Sequence, residues 1–236
     1  MQNAKIAKKE NARPPALDNG SSVCYNKNVM EKGKFIVFEG IDGSGKSTQI
    51  KLLAQYLTEK GIDCETTFEP TDSPFGKLLR SCLKGELDTD ERAIAASFAA
   101  DRLDHIFNPV YGLKKKLDEG KTILCDRYYF SSLAYNGGFV SPEWVVELNR
   151  VAMQELRADL TVYIDLTAEA SMKRVSKRTE TERYETLERQ TAIRERYFSL
   201  FHRFSKEENV VIVESAEEKN TTQANIRKAV DRLFGF

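Results

Sequence analysis

The chain has 236 residues, of which 41% are hydrophobic and 31% are charged, and its 36 Lys and Arg residues balance its 36 Asp and Glu residues. This length suits one α/β domain, and the balanced charge gives no reason to expect nucleic acid or an anionic membrane as a partner. No apolar run approaches the length of a membrane span. The four cysteines form no Cys-x-x-Cys pair and the two histidines are far apart, so we expect a cytoplasmic protein without a metal cluster.

The first 33 residues differ in composition from the rest. They contain Arg13-Pro14-Pro15 and Gly20-Ser21-Ser22 and show no hydrophobic periodicity, which predicts a disordered N-terminal arm over residues 1–33. Met30 lies just before the first predicted strand, so we expect Met30 to be the natural start and the preceding arm to be dispensable. Residues 34–236 are predicted to form the folded domain.

The first predicted strand leads into the strongest motif in the chain. Residues 35–38 are apolar, β-branched or aromatic and predict a buried strand. The segment from Gly40 to Ser47 fits G-x-x-x-x-G-K-[ST], and apolar residues at helical spacing follow it as far as residue 57. This order of strand, glycine loop and helix is typical of the phosphate-binding loop. The alternative is a glycine-rich turn with an incidental lysine.

The residue types of this loop suit the phosphates of a nucleoside triphosphate. Glycines let backbone N–H groups converge on phosphate oxygens, and the N-terminus of the following helix attracts anions. Lys46 supplies a mobile charge for the β- and γ-phosphates, and the Ser47 hydroxyl can ligate Mg²⁺. The predicted nucleotide-binding residues are Gly40, Asp42, Gly43, Ser44, Gly45, Lys46, Ser47 and Thr48.

Strands and helices alternate along the rest of the chain. Further strands are predicted at residues 63–68, 122–125, 161–166 and 210–213, and helices at 76–83, 91–107, 110–117, 144–156, 168–178, 191–206 and 222–234. This alternation predicts a parallel sheet covered by helices on both faces. The strand at 122–125 is followed by Asp126, an acid that can orient Mg²⁺ or its waters, although it could equally cap the next turn.

Together these features resemble one family, the thymidylate kinases (dTMP kinases), from about Lys34 to the C-terminus. The resemblance implies a three-layer P-loop NTPase fold, with a five-stranded parallel sheet flanked by helices and a mobile lid over about residues 174–188. It also implies transfer of the γ-phosphoryl group of ATP to dTMP with Mg²⁺, and usually a homodimer. The matching segments are Phe38-Glu39-Gly40-Ile41-Asp42-Gly43-Ser44-Gly45-Lys46-Ser47-Thr48, Phe98-Ala99-Ala100-Asp101-Arg102 with His105, Asp126-Arg127-Tyr128 with Ser131, Ser132 and Tyr135, and Arg174, Arg178 and Glu182-Arg183-Tyr184-Glu185.

The resemblance assigns roles at the base and sugar of the acceptor. Phe98 would stack on the thymine ring, and Arg102, one helical turn further on, would bond a base oxygen. Ser132 would lie beside the base. Tyr135 would pack under the sugar and leave no space for a 2′-hydroxyl group. The alternatives are a core phenylalanine at position 98 and a surface ion pair at position 102.

The resemblance also assigns roles at the acceptor phosphate. Arg127 would grip the 5′-phosphate with its planar fork of donors, Asp42 would lie near the 3′-hydroxyl, and Glu69 near the phosphate and the metal. Family members of this type often have Arg before Glu-Pro, where this chain has Phe68, and Arg80 is the candidate to replace that contact. The predicted substrate-binding residues are Glu69, Phe98, Arg102, Asp126, Arg127, Ser132 and Tyr135, and the predicted metal ligands are Ser47 and Asp126.

Some family members carry an arginine in the phosphate loop, and others carry it in the lid. The variable loop positions here hold Gly43 and Ser44, whereas the lid holds Arg178 and Arg183, so the chain resembles the lid-arginine type. We expect Arg183, and second Arg178, to neutralise charge on the transferred group; the alternative is an exposed helix with ion pairs. The predicted catalytic residues are Lys46, Asp42, Arg183 and Arg178.

Two other functions fit parts of the sequence. Another pyrimidine nucleotide or deoxynucleoside kinase would use the same loop with a different acceptor. A GTP-binding switch module would need an Asn-Lys-x-Asp motif after a later strand, but the only Asn-Lys pair, Asn26-Lys27, lies in the predicted arm and lacks the Asp. We therefore expect a kinase whose partner is the small molecule dTMP.

Overall fold

The computed structural model describes residues 31–176 and 186–236 of the chain. Its strands are β1 (Phe35–Glu39), β2 (Cys64–Phe68), β3 (Thr122–Asp126), β4 (Leu160–Asp165) and β5 (Val210–Glu214). Its helices are α1 (Lys46–Glu59), α2 (Pro74–Leu83), α3 (Glu91–Phe107), α4 (Leu113–Asp118), α5 (Tyr129–Asn136), α6 (Pro142–Glu155), α7 (Ala168–Val175), α8 (Leu187–Arg203) and α9 (Lys219–Phe234). None of the described helices combines the length and apolar composition needed to cross a bilayer.

The strands form one parallel sheet in the order β2-β3-β1-β4-β5, as the alternation of strands and helices predicts. β1 lies in the centre and pairs with β3 and β4, which puts Phe38 opposite Asp126 and Glu39 opposite Tyr163. All of β1 is buried because helices cover both faces of the sheet. The loops that follow β1 and β3 therefore meet at the carboxyl edge, where ligands bind to open α/β sheets.

Alternate residues of β1 pack into two separate cores. Phe35 and Val37 belong to the core that α3, α5, α6 and α8 build on one face. Ile36 and Phe38 belong to the core that α1 and α9 build on the other face. Because successive side chains of a strand point to opposite faces, one short apolar run anchors both layers of helices. The predicted three-layer α/β architecture is confirmed.

One helix is absent from the sequence-based expectation. All eight residues of α5 are buried, and a helix that is buried all round has no polar face to give a helical period. The segment between Asp126 and Gly137 therefore shows no amphipathic pattern. In the structure, α5 carries Ser131, Ser132 and Tyr135 to the edge of the sheet just after β3.

Several helices begin at positions that differ from the predicted ones; α9, for example, begins at Lys219 rather than at residue 222. α8 begins at Leu187, four residues early, because the Thr186 hydroxyl caps it by accepting from the Arg189 N–H at 3.3 Å. α2 begins at Pro74, where Ser73 accepts from the Gly76 N–H at 3.2 Å. α4 begins at Leu113 rather than at residue 110. The predicted arm up to residue 30, and lid residues 177–185, lie outside the described residues.

Candidate active site

The glycine loop between β1 and α1 has backbone conformations in which a residue with a side chain would be strained. Gly40 has a φ of +146°, and a Cβ atom there would lie 2.7 Å from the carbonyl oxygen of Ile164 on β4. Gly45 has a φ of +98° and directly precedes the first turn of α1. Both conformations favour glycine. The loop consequently wraps around the N-terminus of α1, the arrangement that binds phosphate.

Lys46 folds back over this loop. Its Nζ donates to the carbonyl oxygens of Gly40 at 3.0 Å and Ile41 at 3.3 Å. Burial lowers the pKa of Lys46, and the neighbouring Arg127 charge lowers it further. A phosphate group would replace these carbonyl contacts with a full opposite charge. A cavity of about 470 Å³ surrounds the loop and is lined by Asp42, Gly43, Gly45, Lys46, Ser47, Thr48, Asp126, Arg127 and Arg174.

The two predicted metal ligands lie together at this cavity. The Ser47 hydroxyl donates to Asp126 Oδ2 at 2.9 Å, and Asp126 Oδ1 is buried without a hydrogen-bond partner among the described residues. Nowhere in residues 31–176 and 186–236 do three His, Cys, Asp or Glu side chains group closely enough to hold a metal. Mg²⁺ in kinases is bound mainly by phosphates with one or two protein oxygens, so this hydroxyl and carboxylate fit it.

Arg127 directly follows β3 and reaches across to the glycine loop. Its Nη2 forms an ion pair with Asp42 and donates to Tyr135 Oη at 3.2 Å, while Nη1 donates to Ser131 Oγ at 3.2 Å. Arg127 has a φ of +71°, a left-handed conformation that costs roughly 1–2 kcal/mol for a residue with a side chain. Strain of this kind is typical of functional sites.

Asp42 is the acid around which this end of the site is assembled. It accepts hydrogen bonds from Tyr135 Oη at 3.1 Å and from Gln190 Nε2 at 3.0 Å, in addition to Arg127. Burial alone would raise the pKa of Asp42, but the charges of Arg127 and Lys46 outweigh burial and lower it. Asp42 is therefore ionised at neutral pH and can accept a hydrogen bond from a substrate hydroxyl.

A second cavity, of about 490 Å³, opens beside the glycine loop. Phe98 forms part of its wall and is held from behind by an apolar cluster that contains Leu79, Cys82 and Ile94. Arg80 also lines it, with its guanidinium bonded to the Pro70 carbonyl and to Asp72. Further lining residues are Asp42, Ser47, Phe68, Glu69, Asp126, Arg127, Ser131, Ser132 and Tyr135.

Arg102 lies behind this second cavity in a buried polar network. Its Nε donates to Glu69 Oε2 at 2.8 Å, its Nη2 lies 2.7 Å from the same oxygen in an ion pair, and its Nη1 donates to Ser132 Oγ at 3.0 Å and to Asn149 Oδ1. Glu69 and Ser132 line the cavity, whereas Arg102 is 1% exposed. The ion pair is therefore buried, and it is not the surface pair that was the alternative for Arg102.

Comparison with known proteins decides the family. A sequence model described as thymidylate kinase matches residues 38–226. The chain belongs to the thymidylate kinase family. A probable thymidylate kinase of Thermococcus onnurineus (strain NA1) is 41% identical over 194 residues, which is 78% of this chain and 92% of that protein. A probable thymidylate kinase of Pyrococcus horikoshii is 39% identical over 194 residues, covering 79% of this chain and 92% of that protein.

A thymidylate kinase of Leptospira borgpetersenii is 40% identical over 170 residues, or 71% of this chain and 81% of that protein.

Most of the site residues predicted from the sequence line one or both of the two cavities. Gly40, Ser44 and Arg102 line neither cavity, and Arg102 lies one layer behind the wall of the second. Arg178 and Arg183 fall outside the described residues.

Sequence analysis assigned no role to Glu39, a buried residue that connects three elements of the site. Its Oε1 accepts from the backbone N–H groups of Tyr128 at 2.9 Å and Ser131 at 3.1 Å, and its Oε2 accepts from Tyr197 Oη at 2.8 Å. Burial raises the pKa of Glu39. Glu39 thereby joins β1, α5 and α8. The sequence feature that could have identified Glu39 is its position as an acid at the end of an otherwise apolar strand.

Gln190 is the second residue without a sequence-based role. It is fully buried on α8 and bonds Asp42 across 148 positions of sequence. Arg174 on α7 acts similarly on the other side of the loop, donating to the Gly43 carbonyl at 3.2 Å and to Ser215 Oγ at 2.9 Å. The helices on both sides of residues 177–185 are thus tied to the glycine loop.

Proposed function

We propose that this member of the thymidylate kinase family transfers the γ-phosphoryl group of ATP to dTMP, with Mg²⁺, and so serves dTTP synthesis. One observation carries the proposal. The phosphate-loop cavity and the cavity beside Phe98 share four lining residues, Asp42, Ser47, Asp126 and Arg127. Two nucleotides bound in these cavities would therefore meet with their phosphates over the shared residues, which is the arrangement that direct phosphoryl transfer requires.

The donor would bind with its phosphates on the glycine loop. The loop N–H groups and Lys46 would hold the β- and γ-phosphates, and Lys46 would stabilise charge that develops on the transferred group. Ser47 and Asp126, directly or through water, would hold Mg²⁺, which would supply positive charge against the phosphates. Arg183, with Arg178 second, would add positive charge from the lid and exclude water.

The acceptor would bind with its base against Phe98. Ser132 would lie beside the base, and Arg102, which bonds Ser132 Oγ from behind the cavity wall, would act on the base through that hydroxyl. Tyr135 would pack under the sugar and exclude a 2′-hydroxyl group, and Asp42 would accept from the 3′-hydroxyl. These roles follow the resemblance to the family and agree with the cavity lining.

The acceptor phosphate would then lie on Arg127, whose planar fork suits two phosphate oxygens. Glu69 remains the candidate neighbour of this phosphate and of the metal. Its negative charge would repel a phosphate dianion unless compensated, and the buried ion pair with Arg102 supplies that compensation.

A coupled assay that follows ATP consumption by the purified protein tests the function. We expect turnover with dTMP, less with dUMP, and little with CMP or thymidine. Preference for thymidine or a ribonucleotide would favour the alternative of another nucleotide or deoxynucleoside kinase. Slow hydrolysis of GTP without any acceptor would favour the switch-module alternative and would reject the proposal.

We also propose that the protein is a cytoplasmic homodimer, as the family resemblance implies. Exposed apolar side chains near the packed helices α3 and α6, among them Phe107, Trp144 and Val151, are candidates for the interface. Light scattering during size-exclusion chromatography would measure about twice the chain mass of 26.9 kDa. A mass of one chain at micromolar concentration would reject the dimer.

A further inference from the structure

His105 is a buried histidine that the mechanism above does not use. It lies on α3 three residues after Arg102 and seven after Phe98, on the same face of the helix. Its side chain is 6% exposed. The ring nitrogens lie between two elements of the acceptor cavity: Nδ1 is 3.0 Å from Glu69 Oε1, and Nε2 is 2.9 Å from Thr67 Oγ1.

The two oxygens of Glu69 have different partners. Oε2 accepts from Arg102 Nε and forms an ion pair with Arg102 Nη2, and Oε1 faces His105. Since an ionised carboxylate can only accept hydrogen bonds, His105 must carry its proton on Nδ1. In the neutral ring Nε2 then accepts from the Thr67 hydroxyl, so both ring nitrogens of His105 have a partner.

This chain of contacts determines where Arg102 stands. Each of its three guanidinium nitrogens contacts a buried oxygen: Nε and Nη2 contact Glu69, and Nη1 donates to Ser132 and Asn149. If Oε1 lost its donor, the buried carboxylate would turn to regain one, because an unsatisfied buried acceptor is unfavourable. The contacts of Arg102 Nε and Nη2 with Glu69 would then be lost or displaced.

We propose that His105 is a positioning residue of the acceptor site, which orients Glu69 so that Glu69 fixes Arg102 behind the base end of the cavity. This inference rests on the proposed dTMP kinase function. His105 does not line the cavity, so its effect on the acceptor passes through Glu69 and Arg102. The proposed site of the donor phosphates is the other cavity, which none of His105, Glu69 and Arg102 lines.

Two amide substitutions separate the two ends of the ring. In His105→Asn the amide replaces Nδ1 and can keep the bond to Glu69; in His105→Gln it replaces Nε2 and can keep the bond to Thr67. We expect His105→Gln to raise KM for dTMP about tenfold, and His105→Asn to stay within about threefold of wild type. KM for ATP should stay within about twofold in both. The matched control is His202→Asn, at the other histidine of the chain, which is exposed on α8.

The pattern of effects decides between positioning and mere packing. If both substitutions raise KM for dTMP equally, or raise KM for ATP as much as KM for dTMP, the proposal is overturned. If the wild-type protein shows no turnover with dTMP at all, the proposed function is rejected, and the inference that rests on it is rejected with it. The kinetic split between the two substrates thus distinguishes the two failures.

A spectroscopic measurement on the wild-type protein applies even if His105→Gln does not fold. Nitrogen-15 correlation spectra of the imidazoles report which ring nitrogen carries the proton, and His202→Asn assigns the two rings. We expect a proton on Nδ1 of His105, in either the neutral or the doubly protonated ring. A neutral ring with its proton on Nε2 would place a lone pair against Glu69 and would overturn the proposal.

Discussion

Arg127→Lys tests the part of the site that depends most on the shape of a side chain. Lysine keeps the positive charge that Asp42 needs, and it has the same backbone requirement at the φ of +71°, so strain is unchanged. It does not keep the fork. In the structure the two terminal nitrogens of Arg127 point at different groups, Nη2 at Asp42 and Tyr135 and Nη1 at Ser131, whereas lysine offers a single nitrogen.

The expected loss follows from the number of bonds to the acceptor phosphate. A fork can bond two phosphate oxygens, and lysine can replace one of these bonds. A hydrogen bond to a charged group contributes about 1.5–3 kcal/mol, so kcat/KM for dTMP should fall about 10- to 150-fold. KM for ATP should change less than about threefold, because the loop and Lys46 hold the donor.

The assay is the initial rate of ADP release at varied dTMP and at varied ATP. Arg203→Lys, at an exposed position near the end of α8, makes the same chemical change away from both cavities and should leave the rates within twofold of wild type. A value of kcat/KM for dTMP within threefold of wild type in Arg127→Lys would show that Arg127 does not bond the acceptor phosphate through its fork.

Three further predictions address the donor site, the lid side and the buried acids. Lys46→Met should lower kcat at least about 100-fold through loss of charge stabilisation, and a fall under tenfold in steady-state assays would contradict this role. Gln190→Leu should lower kcat/KM for dTMP about tenfold or more because Asp42 loses a hydrogen bond; unchanged kinetics would reject the link. In urea unfolding at pH 3, 5 and 8, the stability that wild type has over Asp42→Asn should be present above the usual pKa of 3.8 and shrink as pH falls, because the folded pKa is lowered. The stability that it has over Glu39→Gln should be largest at pH 3 and decrease as pH rises through the raised pKa; the same pH trend in both variants would contradict these assignments.

Much of the fold follows from short-range patterns. The apolar run of β1, the glycines around Lys46 and the helical spacing of α3 each predict an element that the structure confirms. The missed helix α5 and the misplaced start of α8 have local causes. α5 is buried on all sides and so has no period, and α8 begins at a Thr186 cap within a charged stretch that gives no apolar signal.

The candidate site was predictable from local patterns where residues follow a strand, and from the family resemblance where Phe98, Ser132 and Tyr135 lie on helices. Asp126 ends β3 and Arg127 follows it, and Lys46 is marked by the glycine motif between β1 and α1. The contacts of Gln190 and Asn149 join elements 148 and 47 positions apart, and nothing in the local sequence specifies such pairings. His105 was visible only as part of a family motif, and its bond to Glu69 appears only once β2 and α3 are packed together.

A crystal structure with dTMP, Mg²⁺ and a non-hydrolysable ATP analogue would test most directly whether two nucleotides meet over the residues that the two cavities share. The account predicts the thymine ring against Phe98, the acceptor phosphate on Arg127 and the terminal donor phosphate within hydrogen-bonding distance of Lys46. Density for dTMP outside the cavity beside Phe98, or phosphates too far apart for in-line transfer, would contradict it.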